Sequence, residues 1–168
     1  MARLRFYKVD MKYIRNLAAV DDKVMSVSPQ NNKETRPFLG IIIVCNDKEY
    51  CIPLTSPKAK HINMKNREDF SRIIDKKGKI IGALNFNNMI PVTKELVKVY
   101  NINNEQDQKY KRLIIEQQFF LLRRQNEIRK KAYRLYEKYI NNKLDAGTKS
   151  RCCDFKLLEN KLNDYSLI

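Results

Sequence analysis

KEYCIPLTSPKAKH, residues 48–61, is the stretch around which the chain is organised. Tyr50, Ile52 and Leu54 alternate with Glu49, Cys51 and Pro53, the period of a half-buried strand. Pro53 lacks an N–H for a ladder, so it predicts a strand that is ending or lies at a sheet edge. Thr55, Ser56, Pro57 and Lys58 follow at once. Two hydroxyls, a proline that fixes φ and a lysine directly after a strand make a small cradle of outward donors, suited to an anion and above all to a phosphate. Ser-Pro also opens ordinary turns. The charge of the whole chain tips the reading towards anions.

That charge is large and of one sign. Across 168 residues, Lys and Arg number 34 against 19 Asp and Glu, a net +15, with a pI near 9.7. Solubility alone asks for a net charge of about 2 to 8. The excess points to neutralisation of nucleic-acid phosphates, where each contact releases condensed counterions. The length fits one domain, residues 1–168, strand-rich over 1–100 and helical over 108–168. The longest apolar run, Phe38 to Cys45, falls far short of the ~18 residues that span a bilayer. Met1 to Asp10 carries Arg3, Arg5 and Lys8 among single apolar residues and has no signal-peptide core. Cys45, Cys51, Cys152 and Cys153 form no CxxC or zinc spacing and read as free, mostly core thiols of a reducing compartment. With His61 as the one histidine, the chain offers no His-based metal site.

Working outward, Leu4 to Val9 reads as a strand. Asp10 stands as N-cap to a short helix whose face is Tyr13, Ile14, Leu17 and Ala18. Asp21 to Pro37 reads as a long loop carrying Lys23, Lys33 and Arg36. Phe38 to Cys45 is apolar throughout and predicts a strand buried on both faces. Asn46-Asp47 turns it back as an antiparallel hairpin, which brings Lys33 or Arg36 near Lys58. After a polar loop, short strands are predicted at Phe70–Ile74, Ile80–Phe86, Met89–Val92 and Val97–Tyr100, with Gly78 supplying a positive φ between the first two. This spacing predicts a small, strongly bent sheet or barrel.

From Gln108 to Leu144 there is no Gly or Pro, and Tyr110, Ile114, Leu121, Ile128, Leu135 and Tyr139 share one helical face. One long helix is predicted. Arg112, Arg123, Lys130 and Arg134 form a basic stripe on its other side, an RNA-backbone contact in this reading. Asp145, Ala146 and Gly147 end the helix, and a last one begins near Asp154.

RFYKV and MKYI near the start, DDKV at Asp21, FLGI at Phe38, PLTSPKAKH at Pro53, GALNFNNMIPV at Gly82, YKRL at Tyr110 and CDFKLLENKLNDY at Cys153 occur in order across nearly the whole chain. In this ordered set the chain resembles the ToxN/AbiQ endoribonucleases, the toxins of bacterial type III toxin-antitoxin systems. The resemblance implies an α+β fold: a compact, strongly bent antiparallel barrel-like sheet, MazF/Kid-like, with a long basic helix and shorter peripheral helices. It implies a cytoplasmic toxin acting in growth arrest and phage defence. It further implies metal-independent RNA cleavage, without a cofactor, to 2′,3′-cyclic phosphate and 5′-hydroxyl ends. The implied partner is an antitoxin RNA of tandem repeats, each folding as a pseudoknot, in a closed protein–RNA assembly away from membranes.

Carried over residue by residue, Thr55, Ser56 and Lys58 match the family's active-site TSPK. Lys60 and His61 follow as RNA-binding candidates, His61 standing where family members also have histidine. Arg36 occupies the family's basic position ahead of the Phe-aliphatic-Gly motif. Asn32 stands where the family has a tyrosine, so the loop cation is either Arg36 or Lys33. Cleavage through the 2′-hydroxyl needs a base, an acid for the 5′-oxygen and donors for the phosphorane charge. Thr55 and Ser56 supply donors and Lys58 supplies charge or the acid; the residues name no base. A non-catalytic RNA-binding module and a MazF-like ribonuclease with a protein antitoxin are the alternatives that the sequence leaves standing.

Overall fold

The computed structural model describes residues 3–25 and 39–166. Among them are seven strands and five helices. The strands are β1 (Phe6–Val9), β2 (Leu39–Cys45), β3 (Lys48–Thr55), β4 (Ser71–Ile74), β5 (Ile80–Leu84), β6 (Ile90–Pro91) and β7 (Val97–Val99). The helices are α1 (Met11–Ala18), α2 (Gln108–Arg123), α3 (Gln125–Ile140), α4 (Ala146–Arg151) and α5 (Phe155–Ser166). All strand pairings are antiparallel, in the order β4-β5-β3-β2-β1-β7, with β6 added to β3.

The β2–β3 hairpin forms as expected. Asn46 and Asp47 both take positive φ, 52° and 64°, the turn whose twist matches that of the strands it joins. Ile41 pairs with Ile52 and Ile43 with Tyr50, and all four are buried. The burial predicted for the two strands is, however, exchanged. Val44 of β2 is 62% exposed, whereas β3 is buried on both faces from Tyr50 to Pro53. β3 is the central strand: β2 lies along one flank, and β6 and then β5 along the other. Pro53 therefore does not mark an edge. It falls between the residues paired with β6 and those paired with β5, where no ladder donor is called for.

The expected barrel does not close. β4 and β7 stand at opposite ends of the strand order and do not pair. Helices cover the core instead. α2 lies on β4 and β5, α3 on β2, and α5 on β6 and α1. Lys131 of α3 donates to Phe70 O (2.9 Å) and Ser71 Oγ (2.6 Å), which ties that helix to the start of β4.

The single long helix is also corrected, because the chain breaks at Arg124 (φ −124°, ψ 26°) into α2 and α3. No Gly or Pro marks the break. Arg124 N donates to Leu121 O instead of one turn back to Phe120, and its guanidinium lies 4.1 Å from the Phe120 ring centre. The Gln125 side chain serves the opened backbone, donating to Leu122 O (3.2 Å) and accepting from Leu4 N (2.8 Å). The apolar face survives the break: Ile114, Leu121, Ile128 and Leu135 are buried. Asp145 starts a helix rather than only ending one, since its carboxylate caps α4 by accepting from Thr148 N (2.8 Å). Asp10 caps α1 as expected, and Gly78 takes φ 82° in the β4–β5 turn.

Candidate active site

The residues of the predicted polar cradle lie where β3 leaves the sheet. Thr55 is the last residue of β3 and pairs with Ala83 of β5. The two strands approach so closely here that a Cβ on Gly82 would lie 2.8 Å from Thr55 O and 2.5 Å from Gln117 Nε2. Gln117 is a buried polar residue of α2 that donates to Ile81 O (2.7 Å) and so fastens β5 against the helix. Beyond the strand, the half-buried Thr55 is followed by exposed Ser56, Pro57 and Lys58. Asn85, just past the end of β5, donates from Nδ2 to Thr55 Oγ1 (3.3 Å).

Lys58 opens a tight turn over Ala59–Ile62. His61 N donates to Lys58 O (2.9 Å), and Lys58 N donates to His61 Nδ1 (3.1 Å). An imidazole that accepts at Nδ1 is neutral and carries its hydrogen on Nε2. Burial, with the charges of Lys60 and Lys58 adding to it, holds the His61 pKa below its ordinary value. His61 is 2% exposed and lies 5.7 Å from the Phe70 ring, centre to centre. The sequence offers His61 as an RNA-binding side chain; the structure buries it within the turn that begins at Lys58. Lys60 is exposed beside it.

Lys33 and Arg36, the two candidates for the loop cation, lie outside the described residues. Arg112, Arg123, Lys130 and Arg134 are all exposed, but the break at Arg124 divides them between two helices. Arg123 stands over the Phe119 ring (5.5 Å), which Lys76 also approaches (4.9 Å). Lys130 lines a separate groove of about 910 Å³ with Arg3, Arg5, Lys94, Arg129 and Tyr133. The stripe predicted for one straight helix is therefore two basic surfaces.

The four cysteines are free and buried; burial pushes the Cys45 and Cys152 thiols up to about 12. No helix among the described residues is long and apolar enough to cross a membrane. Asn85, Gly82 and Gln117 were missed by sequence reasoning. Gly82 and Asn85 fall within GALNFNNMIPV, but only the β3–β5 register shows that they border Thr55.

The sequence profile of the family described as "Toxin ToxN, type III toxin-antitoxin system" matches residues 5–163. Endoribonuclease ToxN of Pectobacterium atrosepticum is 30% identical over 165 residues, covering 96% of this chain and 94% of that one. Endoribonuclease AbiQ of Lactococcus lactis subsp. lactis is 33% identical over 174 residues, covering 97% and 90%. The structure of AbiQ, described as a lactococcal anti-phage endoribonuclease belonging to the type III toxin-antitoxin system, aligns with a TM-score of 0.84 at 26% identity, over 99% of this chain and 100% of that one. A structure from work on selective toxin inhibition by a non-coding RNA pseudoknot aligns with a TM-score of 0.82 at 27% identity, over 98% and 99%.

Proposed function

The chain belongs to the ToxN family of type III toxin-antitoxin toxins, and from this premise we propose that the Thr55–Lys58 cradle is its site of RNA cleavage. It is an endoribonuclease toxin with an anti-phage role, and its inhibitor is a non-coding RNA pseudoknot. The observation that carries the cradle assignment is the closed turn between Lys58 and His61. It fixes a lysine backbone immediately beyond the hydroxyls that end β3.

In the proposed reaction the 2′-oxygen attacks the adjacent phosphorus as its proton leaves to a base. The bond from phosphorus to the 5′-oxygen then breaks, giving a 2′,3′-cyclic phosphate and a 5′-hydroxyl. Thr55 and Ser56 donate to the non-bridging oxygens, where charge grows in the transition state. Lys58 stabilises the same charge or protonates the departing oxygen. Arg36 or Lys33 adds a second cation from the preceding loop; Arg36 in that place would act through charge alone, because arginine stays protonated. His61 Nδ1 already accepts from Lys58 N, which supports a positioning part for it and not that of the base. Lys60, Lys130 and the other exposed cations hold the RNA backbone. The open, bent sheet is proposed as a variant of the MazF/Kid barrel in which helices replace the closing seam. Toxin and antitoxin RNA form a closed assembly in the bacterial cytoplasm.

The test is incubation of the purified chain with a defined RNA and mapping of both ends. Cyclic phosphate and 5′-hydroxyl ends are expected, formed equally in excess EDTA. Lys58→Ala is expected to lower the cleavage rate about 100-fold or more, the scale of a lost acid or charge, with the melting temperature unchanged. Cleavage that stops with EDTA and returns with magnesium, or a Lys58→Ala chain that cuts at the normal rate, overturns the proposal.

A further inference from the structure

The hydroxyl of Thr55 is useful to a phosphate only if its hydrogen points outward. A threonine hydroxyl has one hydrogen and two lone pairs, and it rotates to suit its partners. In this structure Asn85 Nδ2 donates into Thr55 Oγ1 at 3.3 Å. A lone pair is thereby engaged on the protein side, and the hydroxyl hydrogen is left for another acceptor. We propose that Asn85 is a positioning residue of the cleavage reaction, holding Thr55 as a donor to the non-bridging oxygen of the scissile phosphate. The proposal rests on the cradle being the site of cleavage.

The backbone around Asn85 is built to keep that amide in place. Asn85 N donates to Pro53 O (3.2 Å), two residues before Thr55 on the same strand, so the β3–β5 ladder itself fixes the distance between the two residues. The following turn, Phe86–Asn88, is held on several sides. Asn88 N returns to Asn85 O (3.0 Å), Asn87 N donates to Asp69 O (3.2 Å), and Cys153 N donates to Asn87 O (2.8 Å). Phe86 and Met89 are fully buried. An amide anchored in this way orients the hydroxyl before substrate arrives, and reorganisation is spared at the moment of reaction. A carboxylate in its place would accept the Thr55 hydrogen and bring negative charge to the phosphate.

The experiment is a double-mutant cycle on cleavage of a defined RNA, with kcat and KM measured separately for Asn85→Ala, Thr55→Val and the pair. Asn85→Ala is expected to lower kcat about 10-fold with KM changed less than about 2-fold, a fraction of what loss of a whole donor costs. In the Thr55→Val background the same change is expected to cost less than about 2-fold, because there is no hydroxyl left to orient. Asn85→Asp keeps the side-chain shape and serves as the second variant should Asn85→Ala fold poorly. It is expected to lower kcat further than Asn85→Ala does. An unchanged kcat, a loss confined to KM, or a full loss repeated in the Thr55→Val background overturns the inference. A wild-type chain that cuts no RNA overturns the cleavage reading itself, and an active wild type with an indifferent Asn85 overturns only this step.

Discussion

The two ends of β3 treat polar groups in opposite ways. At its start Lys48 and Tyr50 meet Glu159 of α5, which accepts from Lys48 Nζ (2.6 Å), Tyr50 Oη (2.5 Å) and Tyr136 Oη (2.6 Å). Each carboxylate oxygen has a partner, and the Tyr50 and Tyr136 rings pack edge to face. At the other end, seven residues along, half-buried Thr55 is followed by exposed Ser56 and Lys58, and two buried polar atoms nearby have no hydrogen-bond partner among the described residues. Gln117 Oε1 is buried without a hydrogen-bond partner among the described residues. So is Nε of Arg72, which the register places on the same sheet face as Thr55, with Ala83 between. A fully satisfied network rigidifies the elements it joins. One strand thus carries an anchor at one end and the proposed cleavage site at the other.

The sharpest way to break this comparison is to damage the anchor. Glu159→Ala would leave two buried tyrosine hydroxyls without their acceptor, and is expected to cost about 3 kcal/mol, which is about 6 to 12 °C in melting temperature for a chain of this size. The cleavage rate per folded molecule should not change. A large loss of kcat at temperatures where the variant is fully folded would show that the two ends are coupled. The anchor also sets an acid limit. Burial acts to raise the Glu159 pKa, but the hydrogen bonds from Lys48, Tyr136 and Tyr50 outweigh it and the net shift is downward. A carboxylate depressed in the folded state stabilises fully above its unfolded pKa, about 4.5, and loses that contribution as pH falls through the folded value. Thermal melts of wild type and Glu159→Ala should therefore converge in acid.

The end of β3 that carries the proposed site is expected to respond to pH higher up, and more mildly. The folded state holds His61 neutral with its pKa lowered, so the unfolded chain takes up the proton first. This contribution to stability is complete above about 6.5 and shrinks as pH falls towards the folded value. A protonated Nδ1 cannot accept from Lys58 N, and the turn loosens as it titrates. Cleavage should fall a few-fold on the acid side, and His61→Leu should flatten that limb while lowering the plateau. An acid limb unchanged in His61→Leu would return the histidine to a passive core role.

The same contrast explains what could be read from the chain alone. The hairpin was legible because Asn46-Asp47 is local turn chemistry, and Thr55 to Lys58 could be picked out as a candidate because they are adjacent in sequence. The apolar face from Ile114 to Leu135 was legible because period alone sets it. The break at Arg124 was not, since its compensation comes from Leu4, more than a hundred residues away. Asn85 and Gln117 were illegible for the same reason: their roles come from the β3–β5 register and from the seating of α2, and neither is written in any spacing. The exchanged burial of β2 and β3 followed from strand order, which hydropathy does not encode.

The break at Arg124 has a consequence for RNA binding, and it yields the smallest expected effect. On one straight helix Arg123 and Lys130 would lie a heptad apart on a continuous stripe and follow the same stretch of backbone. Instead Arg123 stands with Lys76 around Phe119, while Lys130 lines the groove with Arg3, Arg5, Lys94 and Arg129. Arg123→Glu and Lys130→Glu are each expected to weaken binding of a single-stranded RNA only modestly. Each phosphate contact that is lost should flatten the slope of log affinity against log salt by about 0.7. Because the two residues serve different surfaces, their effects on a short RNA that fills one groove should not combine, whereas on the pseudoknot RNA they should add within about 0.5 kcal/mol. Titrations at several salt concentrations, with both RNAs and with the two single variants and their double variant, check this. Strong coupling of the two reversals on the short RNA would mean that one strand of backbone runs past both residues, and that the break does not divide the surface.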